Sequence, residues 1–355
     1  MHTNVQIYAT LGPSCALQET LERMFQTGLS GMRLNLSHTG LLESREIVSN
    51  FRMAALAAGV RPQLLIDMQG PELRVGRLEE PLFLQEGERI LLTDAGDSVA
   101  VKSDLSNIHI PIPAAVLQIL EEDDEVLLND GRLSLQVLKV HLQQESRRAE
   151  CIVRRGGALS SHKSVKVVGK EANLPVLTEH DIENLRMAGE YGVTGLMQPF
   201  VRSGADLRAV RRALLENDAG HVRIFAKIEN RAALACLDDI INEADVIIIA
   251  RGDLGNDMEL WELPAVQKDI ANACKKAGKP FIVVTQMLAS MEESPVPTRA
   301  EVSDIFNAVT DGAYGVMITG ESAAGKYPVE AVKYLANTAR VAEGWMKSSK
   351  NMLES

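Results

Sequence analysis

Apolar strand-like runs alternate with amphipathic helical segments along most of the chain, and this alternation constrains the fold more than any other feature. Each run is short and rich in Val, Ile and Leu, and a helical pattern follows it before the next run begins. Eight such pairs with right-handed crossovers close naturally into a (β/α)8 TIM barrel, and a doubly wound open sheet is the alternative. The predicted strands are residues 5–11, 32–36, 62–68, 195–200, 222–229, 246–250, 281–285 and 315–319.

The alternation stops near residue 73 and resumes near residue 169. Between these points lie short runs separated by Gly, Asp and Asn, which is the pattern of a small all-β domain. We therefore predict an α/β chain with a discontinuous barrel formed by residues 1–72 and 169–347 and an inserted β domain formed by residues 73–168. The last predicted helix is residues 329–345, and residues 348–355 are predicted to be a C-terminal tail.

Composition excludes several classes of protein. The chain has 355 residues, of which 46% are hydrophobic and 24% charged, and this balance is typical of soluble globular proteins. Its net charge of −11 argues against a general nucleic-acid binder. The four cysteines are scattered without a CxxC pair, which indicates free thiols in a reducing compartment. With no signal peptide or membrane-length apolar run, the sequence predicts a cytoplasmic protein without a membrane partner.

The strongest functional signal lies in residues 222–255. Lys227 and Glu229 stand two apart in a predicted strand, so their side chains project from the same face. The next strand ends in a predicted polar turn that contains Asp253. Because the carboxyl ends of parallel strands form the active sites of barrels, Glu229 and Asp253 are a candidate Mg²⁺ pair, with Lys227 beside them to neutralise phosphate. The alternative is a salt bridge at the barrel rim.

Other polar residues also follow predicted strands, and together they indicate phosphoryl transfer, which depends on positioning and charge neutralisation. They provide oxygen ligands for a second cation and basic groups for phosphate. Because the chain has no GxxxxGK[ST], GxGxxG or HRD/DFG motif, P-loop, Rossmann and protein-kinase folds are excluded. These residues include Arg33, Asn35, Ser37, Asp67, Arg74, Arg251, Thr285 and Glu321.

Short motifs identify the family that the chain resembles. They are ATLGPS at residues 9–14, RLNLSH at 33–38, GPELR at 70–74, AKIEN at 226–230, ARGDLG at 250–255, TQML at 285–288, PTRAE at 297–301, and Gly320-Glu321 with Tyr327-Pro328. In this order and spacing the chain resembles the pyruvate kinase family over nearly its whole length. The resemblance implies a barrel whose inserted β domain acts as a lid.

The resemblance also implies phosphoryl transfer from phosphoenolpyruvate to ADP, giving pyruvate and ATP. By position, Glu229 and Asp253 would hold Mg²⁺ (or Mn²⁺), and Lys227 would stabilise the transferring phosphoryl group and the enolate. Arg33 would bind phosphate, and Thr285 would lie near the methylene carbon that is protonated. The implied substrate-binding residues are Arg33, Lys227, Gly252, Asp253 and Thr285.

The same resemblance also assigns residues to a monovalent cation site and to a nucleotide site. Asn35, Ser37, Asp67 and the Met68 carbonyl would hold K⁺, and Glu72 matches family members that need K⁺. The residues that resemble the nucleotide site are Arg33, His38, Arg74 and Lys163.

Departures from the family pattern fall mostly on the nucleotide side. The Thr-Lys pair after strand three is Met68-Gln69, the lid's end reads SHKSVKVV at 161–168, and a further Lys is replaced by Ala324. They leave two alternatives open: a related barrel enzyme that uses phosphoenolpyruvate or a 2-oxo acid with another acceptor, and a non-catalytic phosphoenolpyruvate-binding paralogue. The sequence stops after the last predicted helix, so we expect a short form without sugar-phosphate activation and a homo-oligomer, assembled through barrel helices, that differs from the usual tetramer.

Overall fold

The computed structural model describes residues 4–37, 39–71, 73–95, 108–129, 131–143, 146–170, 172 and 174–353. The chain divides into two compact units, Met1–Gly70 with Val176–Ser355, and Pro71–Pro175. The first unit resumes at Val176, later than the predicted residue 169. The intervening segment stays with the β unit because Val168 N donates to Glu125 O at 2.9 Å and Lys170 Nζ pairs with Asp124 at 2.9 Å.

The strands of the described residues form two groups, eight in each unit. In chain order they are β1 (Gln6–Thr10), β2 (Gly31–Asn35), β3 (Gln63–Asp67), β4 (Leu82–Leu84), β5 (Arg89–Asp94), β6 (Ile108–Ile112), β7 (Glu125–Leu128), β8 (Leu133–Gln143), β9 (Ser146–Arg155), β10 (Gly157–Leu159), β11 (Val165–Val167), β12 (Gly195–Gln198), β13 (Arg223–Ile228), β14 (Val246–Ala250), β15 (Phe281–Val284) and β16 (Gly315–Met317).

All but one of the described α-helices belong to the first unit. They are α1 (Gln18–Gln26), α2 (Arg45–Ala58), α3 (Ala114–Ile119, in the β unit), α4 (Glu179–Met187), α5 (Gly204–Glu216), α6 (Arg231–Ala235), α7 (Leu237–Glu243), α8 (Arg251–Asn256), α9 (Leu263–Lys276), α10 (Arg299–Thr310), α11 (Gly320–Ala323) and α12 (Pro328–Leu353). Pro13–Cys15 and Ala289–Glu292 form single turns of 3-10 helix.

The first unit is a closed parallel barrel. Its strands pair in the order β1-β16-β15-β14-β13-β12-β3-β2, and β2 returns to β1. The predicted TIM barrel is therefore confirmed, and the open sheet is wrong. The central strands carry continuous apolar runs because both of their faces are covered: every residue of β14 is buried, as is every residue of β15.

Two layers of apolar side chains stabilise the barrel. One fills its interior and includes Tyr8, Phe225 and Ile248. The other lies between the strands and the surrounding helices and includes Phe25, Phe51 and other buried residues from nearly every helix. These layers orient the strands so that the polar residues at their carboxyl ends share one face of the barrel.

Three helices differ from the sequence-based expectation. The segment after β14, expected as a polar turn, is the short helix α8, so Asp253 lies in a first helical turn. The sequence pattern predicts one helix over residues 232–241, but in the structure it is interrupted at Cys236, which separates α6 from α7. The last helix continues to Leu353, so most of the expected tail is helical. No Gly or Pro lies between residues 346 and 353 to stop it.

The second unit is an all-β domain with its own core. Six strands form one sheet in the order β11-β7-β8-β9-β5-β6, and β4 pairs with β10. Buried residues such as Ile90, Leu135 and Val153 form its core. The sequence predicts short β runs at residues 82–84, 89–92, 125–128, 133–140 and 149–153, so β6, β10 and β11 were not recognised. The sequence also predicts a hairpin-type turn at Asp130-Gly131. Asp130 lies outside the described residues, whereas Gly131 has the positive φ of +75° that suits a tight turn.

Within the described part of the chain, no helix has both the length and the apolar character needed to cross a membrane.

The start of α10 is fixed by Glu301 through a capping box. Its carboxylate accepts hydrogen bonds from Thr298 N at 2.7 Å and Thr298 Oγ1 at 2.9 Å, and from Ser290 N at 2.7 Å. Burial alone would raise the pKa of Glu301, but the hydrogen bonds from Ser290 and Thr298 outweigh it and hold the pKa below its usual range. Such a carboxylate stabilises the folded state only while it is ionised.

We expect Glu301→Gln to lower the free energy of unfolding by about 1 kcal/mol at neutral pH, as loss of a cap usually does. The wild-type contribution is complete above the unfolded pKa of glutamate and disappears as the pH falls through the lower folded pKa. Urea unfolding of wild type and variant measures this stability difference at pH 7, where Glu301 is ionised, and at pH 3, where the difference should be smaller. Glu216→Gln, at the exposed end of α5, is the matched control. Equal stability of Glu301→Gln and wild type at pH 7 would contradict the capping role.

Candidate active site

Lys227 is the centre of a buried charge cluster at the carboxyl ends of the barrel strands. Its Nζ lies 3.2 Å from Asp67 Oδ1 and 3.1 Å from Glu229 Oε1, and its side chain is only 14% exposed. Burial opposes the charge of Lys227, but Asp67 and Glu229 outweigh that effect and raise its pKa above the usual value. Lys227 is therefore a fixed cation at neutral pH. Lys227 also forms the ion pairs that the salt-bridge alternative predicted. They are buried, whereas that alternative placed them at the barrel rim.

Glu229 directly follows β13, and a second contact fixes its orientation. Its Oε2 accepts a hydrogen bond from Phe200 N at 2.8 Å, while its Oε1 faces Lys227. Phe200 has a φ of +52°, an unusual conformation for a bulky residue. Burial raises the pKa of Glu229 to about 7, with Lys227 opposing and Asp253 adding to the rise. Sequence analysis missed Phe200 because its contribution comes from the backbone.

Asp253 is exposed in the first turn of α8 and acts electrostatically on both Lys227 and Glu229. The structure thus brings the predicted pair of carboxylates to one place. Among the residues that are described, no three His, Cys or carboxylate side chains form a ready-made metal site. Two carboxylates fit Mg²⁺, which usually keeps waters and substrate oxygens as its remaining ligands.

Arg33 adds a second cation beside Lys227. Its Nε donates to Asp67 Oδ2 at 2.7 Å, and its Nη1 donates to Thr10 Oγ1 at 3.4 Å. Burial would raise the pKa of Asp67, but Lys227 and Arg33 outweigh it and hold the pKa below the usual range. Asp67 therefore orients two basic side chains from β2 and β13, and both cations face the same region of the barrel.

The residues expected to hold K⁺ lie at the ends of β2 and β3. Asn35 pairs with Asp67 in the strand register, and Asn35 Oδ1 accepts hydrogen bonds from Ser37 Oγ at 3.0 Å and Ser37 N at 3.2 Å. Asp67 Oδ1 is buried and receives no well-aligned hydrogen bond; its contact with Lys227 at 3.2 Å is an ion pair. Oxygen atoms with spare acceptor capacity fit an alkali cation. Met68 is buried beside them.

Thr285 follows β15 in a conformation that its side chain rarely adopts, with a φ of +72°. Its Oγ1 donates to Val284 O at 2.6 Å. Gly252 lies next to it, since a Cβ added at Gly252 would be 3.6 Å from Thr285 Cγ2. The predicted residues of α8 and of the β15 end are therefore adjacent.

The predicted nucleotide residues are divided between the units. Arg33 belongs to the barrel, whereas Arg74 and Lys163 belong to the β unit. There Arg74 Nη1 donates to His162 O at 2.7 Å, and Val75 N donates to Lys163 O at 2.7 Å. His38 and Glu72 lie outside the described residues.

The departures from the family pattern have definite surroundings in the barrel unit. Gln69 Oε1 accepts a hydrogen bond from Thr178 Oγ1 at 3.1 Å, and Gln69 N donates to Asp181 Oδ1 at 2.8 Å. Ala324 directly follows α11, and Lys326 pairs with Glu293. Both of these contacts of Gln69 are with residues of the barrel unit.

Glu321 was predicted among the polar residues of this rim, and its surroundings indicate a structural role. It is buried, and its carboxylate accepts hydrogen bonds from Leu288 N at 3.0 Å and Thr319 N at 2.7 Å. It therefore fixes the segment that follows Thr285. The sequence signal, a Gly-Glu pair after a strand, does not distinguish this role from ligand binding.

Comparisons with known proteins all lead to one family. Residues 2–332 match the family model for the barrel domain of pyruvate kinase. A pyruvate kinase of Geobacillus stearothermophilus is 36% identical over 340 residues, which cover 96% of this chain and 57% of that protein. One of Thermococcus litoralis is 35% identical and is covered over 70% of its length. The chain thus spans little more than half of the Geobacillus relative.

A solved structure gives the same result for the fold. The crystal structure of a pyruvate kinase from Cryptosporidium parvum superposes with a TM-score of 0.86 at 32% identity, covering 96% of this chain and 70% of that chain.

Proposed function

The chain belongs to the pyruvate kinase family, and we propose that it transfers the phosphoryl group of phosphoenolpyruvate to ADP, forming pyruvate and ATP. The observation that carries this proposal is the Lys227 ammonium, held between Asp67 and Glu229 with Arg33 on the other side of Asp67. Two fixed cations and two candidate metal-binding carboxylates suit a reaction that moves a highly charged phosphoryl group.

Arg33 and Lys227 bind the phosphate of phosphoenolpyruvate in this proposal. Both are oriented by Asp67 before the substrate arrives, so little reorganisation is needed when charge develops. The bond between phosphorus and the enol oxygen breaks, and the phosphoryl group passes to the terminal phosphate of ADP. Lys227 then faces the enolate oxygen, whose negative charge it stabilises.

Glu229 and Asp253 would hold Mg²⁺ or Mn²⁺, with Gly252 and its neighbours close to the substrate carboxylate. When bound, the divalent ion supplies positive charge that neutralises the phosphoryl oxygens. Asn35, Ser37, Asp67 and the Met68 carbonyl would hold K⁺, which adds a further positive charge near the phosphate. The oxygen donors at both places support these assignments.

Thr285 would deliver the proton to the methylene carbon of the enolate. Its hydroxyl now donates to Val284 O, so it must turn toward the substrate and recover a proton from water afterwards. The assignment of Arg33, His38, Arg74 and Lys163 to ADP stays a prediction, and so does assembly through the barrel helices.

A second function, transfer to an acceptor other than ADP or a lyase step on a 2-oxo acid, is favoured by Gln69. The family has a Lys at this position, but Gln69 is neutral and its side chain is engaged by Thr178. This change removes a positive charge that would favour nucleotide binding, while Lys227 and Thr285, the residues proposed for the enolate chemistry, are retained.

The test is steady-state pyruvate formation from phosphoenolpyruvate and ADP with Mg²⁺, in K⁺ and in Na⁺. We expect turnover that needs both metals. Pyruvate methyl-proton exchange without turnover of ADP would instead favour the second function. A protein that binds phosphoenolpyruvate by calorimetry but catalyses neither reaction would refute both and leave only a binding role.

A further inference from the structure

Thr285 and Gln286 occupy a strained stretch of backbone at the end of β15. Their φ angles are +72° and +53°. A β-branched residue in the left-handed region is strained, and it keeps that conformation only where its surroundings impose it. Something near this stretch must therefore hold it.

Arg251, the first residue of α8, makes the contacts that hold it. Its Nη2 donates to Thr285 O at 2.7 Å, and its Nε donates to Val284 O at 3.4 Å. Its side chain is 11% exposed. One planar guanidinium thus fixes two successive carbonyl groups, and with them the peptide plane that leads into Thr285 and the one that follows it.

Asp304 of α10 holds the guanidinium in turn. Arg251 Nη1 lies 2.8 Å from Asp304 Oδ1 and 2.6 Å from Oδ2. At the other end of the segment, Leu288 N donates to Glu321 Oε1 at 3.0 Å. The loop is therefore secured on both sides of the strained residues, and Arg251 is the contact nearest to Thr285.

We infer that Arg251 is a positioning residue, which keeps the Thr285 backbone in its left-handed conformation and so fixes the place from which the Thr285 hydroxyl turns toward the substrate. This inference rests on the proposed function, in which that hydroxyl supplies a proton to the enolate carbon. In the reverse direction the Thr285 hydroxyl passes its own proton to water as Oγ1 takes a proton from the methyl group of pyruvate. The electron pair of the broken C–H bond then forms the enolate. Arg251 therefore acts on proton transfer through Thr285, separately from the phosphate-binding cations Arg33 and Lys227.

The test compares Arg251→Met with Arg211→Met. Arg211 is a matched control because it also pairs with an aspartate and a carbonyl, Asp245 Oδ2 at 3.0 Å and Glu243 O at 3.3 Å, but before β14 begins, at the opposite end of the barrel. Deuterium exchange of the pyruvate methyl group, followed by NMR with Mg²⁺ and K⁺, measures proton transfer alone. Calorimetric binding of phosphoenolpyruvate measures the phosphate site.

We expect Arg251→Met to slow methyl exchange and kcat by about 100-fold, the usual effect of a misplaced catalytic group, while phosphoenolpyruvate affinity changes less than about threefold. The Thr285 methyl resonance, assigned with Thr285→Ser, should move in this variant and stay unchanged in Arg211→Met. Asp304→Asn should produce the same pattern more weakly, and it preserves the test if Arg251→Met does not fold.

Normal exchange in Arg251→Met would overturn the inference. So would slow exchange with an unmoved Thr285 resonance, or an equal loss of exchange and phosphoenolpyruvate affinity. If the wild type neither exchanges methyl protons nor forms pyruvate, the proposed function fails. In that case the Thr285 resonance still decides whether Arg251 positions this residue.

Discussion

Lys227→Met should reduce kcat for pyruvate formation by about a thousandfold, with a smaller effect on the KM for phosphoenolpyruvate. Removing one preorganised stabilising group from an active site costs about 10²–10³ in kcat, and a full positive charge lies at the upper end of that range. Lys227 is that charge here, since Asp67 and Glu229 keep it protonated and in place. Single-turnover assays with Mg²⁺, K⁺ and ADP measure the effect on phosphoryl transfer directly.

The same substitution should destabilise the barrel, because it leaves two buried carboxylates without their shared cation. Removing one partner of a buried ion pair usually costs about 3–5 kcal/mol. Thermal unfolding must therefore accompany the assay. Lys227→Arg is the control: it keeps a positive charge between Asp67 and Glu229, so it should recover stability more than activity. A folded Lys227→Met variant with near-normal kcat would show that the ion pairs are only structural.

Glu229→Gln should weaken divalent-metal binding by at least about 100-fold, since even loss of a residue that supports a metal ligand costs about 10–100-fold. Mn²⁺ binding followed by electron paramagnetic resonance, with phosphoenolpyruvate present, measures the affinity. Glu321→Gln is the matched control because Glu321 is equally buried but accepts hydrogen bonds from Leu288 and Thr319. We expect the control to lose stability and to keep its Mn²⁺ affinity. Equal Mn²⁺ affinities in both variants would remove Glu229 from the metal site.

The metal affinity of the wild type should depend on pH through Glu229. Burial raises its pKa to about 7, and a carboxylate must lose its proton before it binds a metal. Mn²⁺ affinity should therefore rise as the pH increases through about 7, and then level off. Glu229→Gln should lack this step. A wild-type affinity that is flat between pH 6 and pH 8 would contradict the assignment.

Local features of the sequence predicted which of these side chains lie near one another. The two-residue spacing of Lys227 and Glu229 predicted a shared face, and in the structure the two side chains are 3.1 Å apart. The turn after β14 was predicted to bring Asp253 near them, and its electrostatic effect on both residues agrees. Such predictions succeed because strand geometry repeats every two residues wherever the strand lies in the fold.

The partner of Lys227 could not be predicted in this way. Asp67 ends β3, which is separated from β13 by β12 in the barrel, so the ion pair spans a strand. Strand periodicity gives the face of a residue, but only closure of the barrel determines which distant strand ends converge. Two further contacts could not be predicted from residue types: the hydrogen bond from Arg251 to Thr285 O and the one from Phe200 N to Glu229. Both depend on the backbone conformation at the ends of the strands.

The sequence alone determined the alternation of strands and helices, the eightfold barrel with its inserted β domain, and the residue types at the strand ends, because these follow from short-range periodicity. The tertiary structure decided which charges are buried together, where α8 and α12 begin and end, and how Thr285 is held. Those features arise from contacts between residues far apart in the chain. Their energies depend on burial and distance, which exist only after the barrel has closed.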